Sequence, residues 1–261
     1  MSHKKLDIMI AIPAYNCEKQ ITRVLDEIDD KLASRVREIC VIDNISTDNT
    51  VSTLLKYRKN NNLKGKLKIL QNAKNYSLGG SHKVAFLRAE SNGYSHVIIL
   101  HGDNQAKSDE ANLLIDYVEK NPQVHTVLGS RFNKKSQLIG YDIKRIVGNK
   151  ILNSIYSIVT LRHCEDLGSG LNLFAIKDLS KNSYLRFADK LTFNFELLLD
   201  LIGRKINFSY VPITWREEDQ VTNARNFNVF KIAIYNLIRW RLGISNRAIN
   251  TINKYESKEI N

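Results

Sequence analysis

Glycine is scarce where a nucleotide-binding fold most needs it. The chain has 261 residues and 12 glycines, and the first of these is Gly65. A dinucleotide-binding domain needs a glycine-rich turn after its first strand, so that backbone can approach a pyrophosphate. Here the first apolar run ends in Ile12-Pro13-Ala14-Tyr15-Asn16, and Pro13 and Tyr15 would crowd such a turn. The P-loop pattern is missing as well. Cysteine is equally sparse. Cys17, Cys40 and Cys164 cannot all pair and lack metal-ligand spacing, which favours a reducing compartment over a disulfide scaffold. No stretch reaches the ~20 apolar residues of a membrane span, so the chain is not expected to cross a bilayer unaided. The opening Met1-Ser2-His3-Lys4-Lys5 enters a strand pattern without a signal-peptide apolar region, and a cytoplasmic location is expected.

Acidic residues are missing from two stretches of a basic chain. The formal net charge is +12, which fits a phosphorylated substrate, an anionic lipid surface or a nucleic acid. Between Arg131 and Arg162 lie seven Lys or Arg residues and one acid, Asp142. Between Phe227 and Arg247 lie Lys231, Arg239, Arg241 and Arg247 and no acid. Ile151, Leu152, Ile155, Ile158 and Val159 in the first, and Phe230, Ile234, Leu237 and Ile238 in the second, recur at helical spacing. Basic amphipathic helices suit the inner face of an anionic membrane, where peripheral association is expected. The alternative is two core-facing helices with solvated basic backs. No nucleic-acid module is recognisable, and nucleic acid is not an expected partner.

What is present is an alternation of strand and helix patterns. Strands are predicted over Leu6 to Ile12, Glu38 to Ile42, Lys66 to Leu70, Val97 to Leu100 and Val124 to Gly129. Helices are predicted over Glu18 to Ala33, Asp48 to Lys59 (capped by Ser46 or Thr47), Gly80 to Ser91 and Asp109 to Lys120. Repeated β-α units imply an α/β fold with a mostly parallel, twisted sheet between helices. The second half is less regular. It carries helices near Val147 to Val159 and Phe193 to Ile202, strands near Leu171 to Ile176 and Ile206 to Trp215, then the basic C-terminal helix. Residues Thr251 to Asn261 read as a frayed polar tail. The division expected is a main domain over residues 1–225, followed by the basic helix and polar tail over residues 226–261.

Three predicted strands end in polar clusters: Pro13 to Glu18, Asp43 to Asp48 and His101 to Gln105. All should open on the carboxyl edge of the sheet, where ligands bind in α/β folds. His101-Gly102-Asp103-Asn104-Gln105 can hold a hard divalent cation through Asp103, with Gln105 and His101 beside it. The alternative is a polar turn leaving a buried strand.

In order along the chain, "IPAYNCE", "VIDNISTDNT", "NYSLGGSHKVAF", "HGDNQ", "VLGSRF" and "CEDLGSGLNLF" resemble the loops of family-2 glycosyltransferases of the GT-A fold. The nearest branch holds the dolichyl-phosphate mannose synthases and related polyprenyl-phosphate sugar transferases. The resemblance covers residues 6 to about 225. It implies that Pro13, Tyr15, Asn16, Glu18, Asp43, Ser46, Asp48, Gly80, Lys83 and Asp103 line a nucleotide pocket. It also implies that Asp103, with Gln105 and His101, binds Mg²⁺ or Mn²⁺, and that Arg131 and Arg145 neutralise phosphate. The family inverts the anomeric centre, so a hydroxyl acceptor needs a general base, for which Asp166 and Glu196 are the candidates; a phosphate acceptor needs none. The alternative for that pair is a buried turn cap and an ordinary helical glutamate. Two positions depart from the pattern. His101 stands where the family has an aspartate, as a metal ligand, as a hydrogen-bond donor to ribose or phosphate, or behind a ligand, and Asn44 replaces a second aspartate. Arg216 to Asn223 only loosely echo the branch's late Arg-x-x-Gly-x-Ser-Lys loop.

The function expected is metal-dependent transfer of a sugar from a nucleoside diphosphate to a membrane-associated acceptor, a polyprenyl phosphate or lipid-linked glycan. A soluble or surface polysaccharide such as a capsule or O-antigen chain is the alternative acceptor. A non-catalytic nucleotide-sugar-binding module is the alternative class.

Overall fold

The computed structural model of the chain describes residues 6–61, 63–217, 226–244 and 254–261. Its centre is three apolar strands, β1 (Ile8–Ala14), β2 (Glu38–Asp43) and β4 (His96–Leu100), almost wholly buried on both faces. Such strands belong inside a parallel sheet covered on both sides. β1 pairs in parallel with both β2 and β4. β3 (Leu67–Asn72) continues the sheet beyond β2, and β5 (Thr126–Ser130), β7 (Leu171–Ala175) and β8 (Phe208–Pro212) continue it beyond β4. Side chains alternate between faces. Ile8, Ile10 and Ile12 point into one core with Val24, Leu25, Leu54, Leu114 and Ile115, whereas Met9 and Ala11 point into the other with Phe86, Tyr156, Phe193 and Leu197.

The helices follow this two-sided plan. α1 (Ile21–Asp26), α2 (Asp30–Arg35), α3 (Thr50–Asn60) and α5 (Ala111–Lys120) cover the first face. α4 (Ser77–Ser91), α6 (Ile143–Thr160), α7 (Lys181–Tyr184), α8 (Phe193–Gly203) and α9 (Asn226–Arg241) cover the second.

Several boundaries differ from expectation for local reasons. The single helix predicted from Glu18 to Ala33 is two, because Asp29 accepts the Leu32 amide at 2.6 Å and starts α2 afresh. Neither Ser46 nor Thr47 caps α3. Asp48 does that work, accepting the Thr50 amide at 2.9 Å and the Thr50 hydroxyl at 2.5 Å. α6 begins earlier than expected, where Asp142 accepts the Arg145 amide at 3.0 Å. The last predicted strand splits at Ile213, whose amide turns to Ser130 O. Beyond the break, β9 (Thr214–Arg216) pairs with a short β6 (Gln137–Ile139) outside the main sheet.

The tail is not frayed where it is described. β10 (Ser257–Glu259) adds antiparallel to β3 at the sheet edge. Tyr255 is buried, and its hydroxyl meets Lys83 Nζ at 3.0 Å and Asp189 Oδ1 at 2.8 Å. The sheet is therefore mixed: β7 and β10 run antiparallel to their neighbours, and the other pairings are parallel. Because β7 runs against β4 and β5, its first residues lie at the edge where those strands end. The carboxyl ends of β1, β2, β4, β5 and β8 and the start of β7 thus share one edge.

Candidate active site

At that edge the first two loops are laced together by side chains. Asn16, in the left-handed region with φ 51°, donates its amide to Ser46 Oγ at 3.0 Å and accepts from the Thr47 amide at 2.8 Å. Asparagine tolerates this backbone better than most residues. The Glu18 amide meets Asp48 Oδ2 at 3.1 Å, and Glu18 Oε2 accepts the Asn49 amide at 2.9 Å. Asn16, Glu18, Ser46 and Asp48 therefore shape the loops' walls. Tyr15 stands exposed above them, and Pro13 O accepts the Gly102 amide at 3.0 Å, joining β1 to the His101 loop.

Asp43 is buried at the end of β2. It accepts the Ile45 amide at 3.2 Å, the Ser46 amide at 3.3 Å and Gln71 Nε2 at 3.1 Å. Asn44 explains its own departure from the family pattern. Its Oδ1 accepts from Asn72 Nδ2 at 2.9 Å and from the Tyr76 amide at 2.8 Å, while its Nδ2 donates to Asn75 Oδ1 at 2.9 Å. An aspartate cannot make that donation.

Asp103 is partly buried beyond β4, with its Oδ1 accepting the Gln105 amide at 3.2 Å. Burial holds its carboxyl above the ordinary aspartate range; His101 opposes that rise, and the nearby Glu217 carboxylate adds to it. Glu217 follows β9 and accepts Arg145 Nη1 at 2.6 and 2.5 Å on its two oxygens and Gln105 Nε2 at 3.3 Å. Arg216 reaches back to Asn104 Oδ1 at 3.0 Å, and its amide donates to Gln105 O at 2.8 Å. Asn104, with φ 59°, makes the turn that allows this. The β9 segment thus closes over the His101 to Gln105 loop. The rest of the late-loop resemblance, residues 218–223, lies outside the described residues.

His101 faces inward. Its Nε2 lies 3.1 Å from His82 Nε2, and a Cβ on Gly170 would sit 2.8 Å from its Nδ1. Two facing imidazole nitrogens share one proton, so burial keeps both rings below the usual histidine range. His82 is a partner that sequence reading missed; its only signal is its place in "GGSHK".

Arg131 and Asp166 form a buried, two-pronged ion pair, Nε to Oδ2 at 2.8 Å and Nη2 to Oδ1 at 2.7 Å. Asp166 also accepts the amides of Arg131 at 2.9 Å and Gly168 at 3.0 Å. Trp215 lies against the guanidinium, 4.9 Å from its ring centroid. Asp166 therefore sits at the edge as Arg131's counter-ion, with its oxygens committed.

Three candidates are engaged by other parts of the chain. Lys83 is wholly buried on α4, and its ammonium bonds Phe187 O at 2.6 Å, Asp189 Oδ1 at 2.6 Å and the Tyr255 hydroxyl. Gly80 lies in the α4 turn packed on residues 188–193, where its amide donates to Asp189 O at 3.2 Å. Glu196, on α8, faces α9, with Oε1 accepting Asn236 Nδ2 at 3.3 Å. These partners, which the motif spacing does not reveal, engage Lys83 with residues 187–189 and Tyr255 and Glu196 with α9, and pack Gly80 against Tyr76 and Asp189.

No group of three His, Cys, Asp or Glu side chains able to cage a metal occurs among the described residues. One carboxylate, Asp103, with a second close by in Glu217, is a donor set suited to a cation completed by substrate oxygens. Mg²⁺-type sites are commonly built that way.

The sequence over residues 9–174 matches the family described as Glycosyl transferase family 2. The chain belongs to that family, and it is a glycosyltransferase. It is 24% identical over 248 residues to the dolichyl-phosphate beta-glucosyltransferase of Saccharomyces cerevisiae, covering 88% of this chain and 73% of that protein. It is 25% identical over 247 residues to the UDP-N-acetylglucosamine–dolichyl-phosphate N-acetylglucosaminyltransferase of Methanococcus voltae, covering 90% and 96%. Among solved structures it resembles glucosyl-3-phosphoglycerate synthase from Mycobacterium tuberculosis in complex with Mn²⁺, UDP and glucosyl-3-phosphoglycerate. The TM-score is 0.65 at 15% identity, with 98% of this chain and 87% of that one covered. That likeness shows the fold, the GT-A fold implied by the motifs.

Two outcomes separate chemistry from scaffold at this glycosyltransferase's edge. The raised Asp103 carboxyl means that its ionised form weakens the fold, a penalty absent below the unfolded aspartate pKa and present once pH rises past the folded one. Asp103→Asn should therefore melt higher than the parent at pH 7 without metal, and the gain should shrink as pH falls towards 4. Asp166→Ala should instead cost about 3–5 kcal/mol in urea unfolding, because it strands a buried guanidinium.

Proposed function

We propose that this glycosyltransferase moves a sugar from a nucleoside diphosphate to a lipid-linked phosphate, at the surface of an anionic membrane. The observation that carries the reading is the convergence of Asp43, Asp103, Arg131 and the Arg145–Glu217 latch on one sheet edge. The dolichyl-phosphate substrates in the names of both curated relatives support the acceptor class.

The nucleoside would lie over the loops laced by Asn16, Glu18, Ser46 and Asp48, with Asp43 and Gln71 offering hydrogen-bonding groups to base or ribose. Asp103 would hold the divalent cation, Mg²⁺ or Mn²⁺, with Gln105 beside it. When bound, such an ion neutralises charge on the leaving diphosphate. His101, with Nε2 turned to His82, would act from behind Asp103. Arg145 is the movable cation: a diphosphate competing with Glu217 would draw it across, since guanidinium matches phosphate as well as carboxylate. Direct displacement by a phosphate oxygen inverts the anomeric centre. That nucleophile is already ionised at neutral pH, so the committed oxygens of Asp166 are no obstacle to the reaction. β9 and the Trp215 ring would limit water at the reacting carbon.

Two helices supply the membrane face. No described helix is long and apolar enough to cross a bilayer. α6 buries Leu152 and Tyr156 inward, yet Ile143, Val147, Ile151 and Ile158 are exposed along one outer stripe. α9 buries Ala233 and Leu237 and exposes Ile232, Tyr235 and Ile238, with Leu242 exposed just past its end. The backs of both helices are thus apolar as well as basic, unlike the solvated backs of ordinary surface helices. The Tyr156 hydroxyl donates to Ala233 O at 2.8 Å, which sets the two helices side by side.

With UDP- or GDP-sugars and a short-chain polyprenyl phosphate, Asp103→Asn should lower kcat by roughly a thousandfold or more, and EDTA should do the same. Undiminished turnover in both tests would remove the metal role. Ile158→Asp combined with Leu242→Asp should cut co-sedimentation with anionic liposomes by roughly tenfold or more, as each buried apolar side chain is worth about 1.5–3 kcal/mol. Transfer to a soluble short-chain acceptor should survive that change.

A further inference from the structure

A cavity of about 390 Å³ opens between α8, α9 and the residues around α7. It lies away from the sugar-transfer edge. Gly203 and Arg204 line it where α8 returns the chain towards the start of β8, and that start pairs with the start of β5, Phe208 beside Thr126. Those strands reach the Asp103 edge only at their other ends.

The lining mixes apolar and charged side chains. Phe187, Leu199, Trp240 and Ile244 supply apolar wall; Arg186, Arg204 and Arg239 line it together with Glu196 and Asp200. The protein itself answers the acids. Arg204 Nε donates to Asp200 Oδ2 at 2.8 Å, and Glu196 Oε1 accepts from Asn236 and, at 3.4 Å, from the Ala188 amide. Arg239 Nη1 donates to a neutral group, the Tyr235 hydroxyl, at 2.8 Å. Among the described residues Arg186 Nε is buried and has no hydrogen-bond partner. A guanidinium N–H taken out of water without an acceptor is costly, and native structures rarely leave one so.

We infer that this cavity binds a ligand carrying a phosphate next to an apolar group. Arg186 and Arg239 meet the phosphate, which the planar guanidinium fits, while Phe187, Leu199 and Trp240 meet the apolar part. Arg239 lies one helical turn from the exposed Tyr235 and beside Ile238, with Leu242 exposed just past the end of α9, so an attached chain has an apolar path outward. Either a membrane lipid's headgroup or a soluble phosphate ester has this chemistry. The site is independent of the acceptor assigned to the transfer reaction.

Calorimetric titration of the full chain decides it. The probes are dioctanoyl phosphatidic acid below its micelle concentration, glycerol 3-phosphate, and dioctanoylglycerol. Phosphatidic acid should bind, and Arg186→Gln and Arg239→Gln should each weaken it tenfold or more. Both variants should bind UDP as the parent does, and Arg186→Gln should melt no lower. Binding of phosphatidic acid alone identifies a lipid headgroup; equal binding of glycerol 3-phosphate identifies a soluble ester. Binding of neither phosphate, equal binding of dioctanoylglycerol, or unchanged affinity in Arg186→Gln overturns the inference.

Discussion

The strand-end site is organised around one buried ion pair, Arg131 with Asp166. Two charges removed from water are tolerated only when their geometry and remaining hydrogen bonds are nearly complete. Here both prongs of the guanidinium are used, and two backbone amides complete the carboxylate. The pair fastens the end of β5 to the segment that leads into antiparallel β7. β7 places Gly170 against His101, whose amide donates to Gly170 O at 2.9 Å. Trp215 packs on the same guanidinium and carries β9 over the Asp103 loop. The position of Asp103 is thus inherited through contacts that begin at Arg131.

The two departures from the family pattern belong to this framework. Asn44 supplies a donor and an acceptor at once, tying the ends of β2 and β3 to the start of α4. His101 brings an imidazole into a space closed by His82 and Gly170. A residue chosen for inward packing there leaves Asp103 as the carboxylate at the turn. The cationic character of the site then rests on Arg131, whose charge is spent inward, and on Arg145, which is paired with Glu217.

The central β-α alternation was legible because buried parallel strands are continuous apolar runs, and Val97 to Leu100 or Glu38 to Ile42 admit few other readings. The strand-end loops were legible because Asn, Asp, Ser and Gly there do jobs fixed by local backbone. What stayed hidden depends on partners distant in sequence. Lys83 follows two loop-like glycines, yet long-range burial makes it the counter-ion of Asp189. Glu196 has the composition of a base, yet the helix face that carries it looks at α9. β10 is a polar tripeptide with no strand signature, held by the open edge of β3 and by Tyr255. The apolar residues of α6 were visible as a helical series, but only packing against Tyr156 and Leu152 divides that series into an inner and an outer face.

On the proposed function, Asp103 makes this edge a site for a cation-bridged diphosphate, and calorimetric titration with nucleotide tests that role. UDP or GDP should bind the parent at least tenfold more tightly with Mn²⁺ than without it. In Asp103→Asn that metal dependence should vanish while the weaker, metal-free binding persists. Nucleotide binding that is equally tight with and without Mn²⁺ in the parent, or metal enhancement that survives in Asp103→Asn, would rule out Asp103 as the residue that holds the cation.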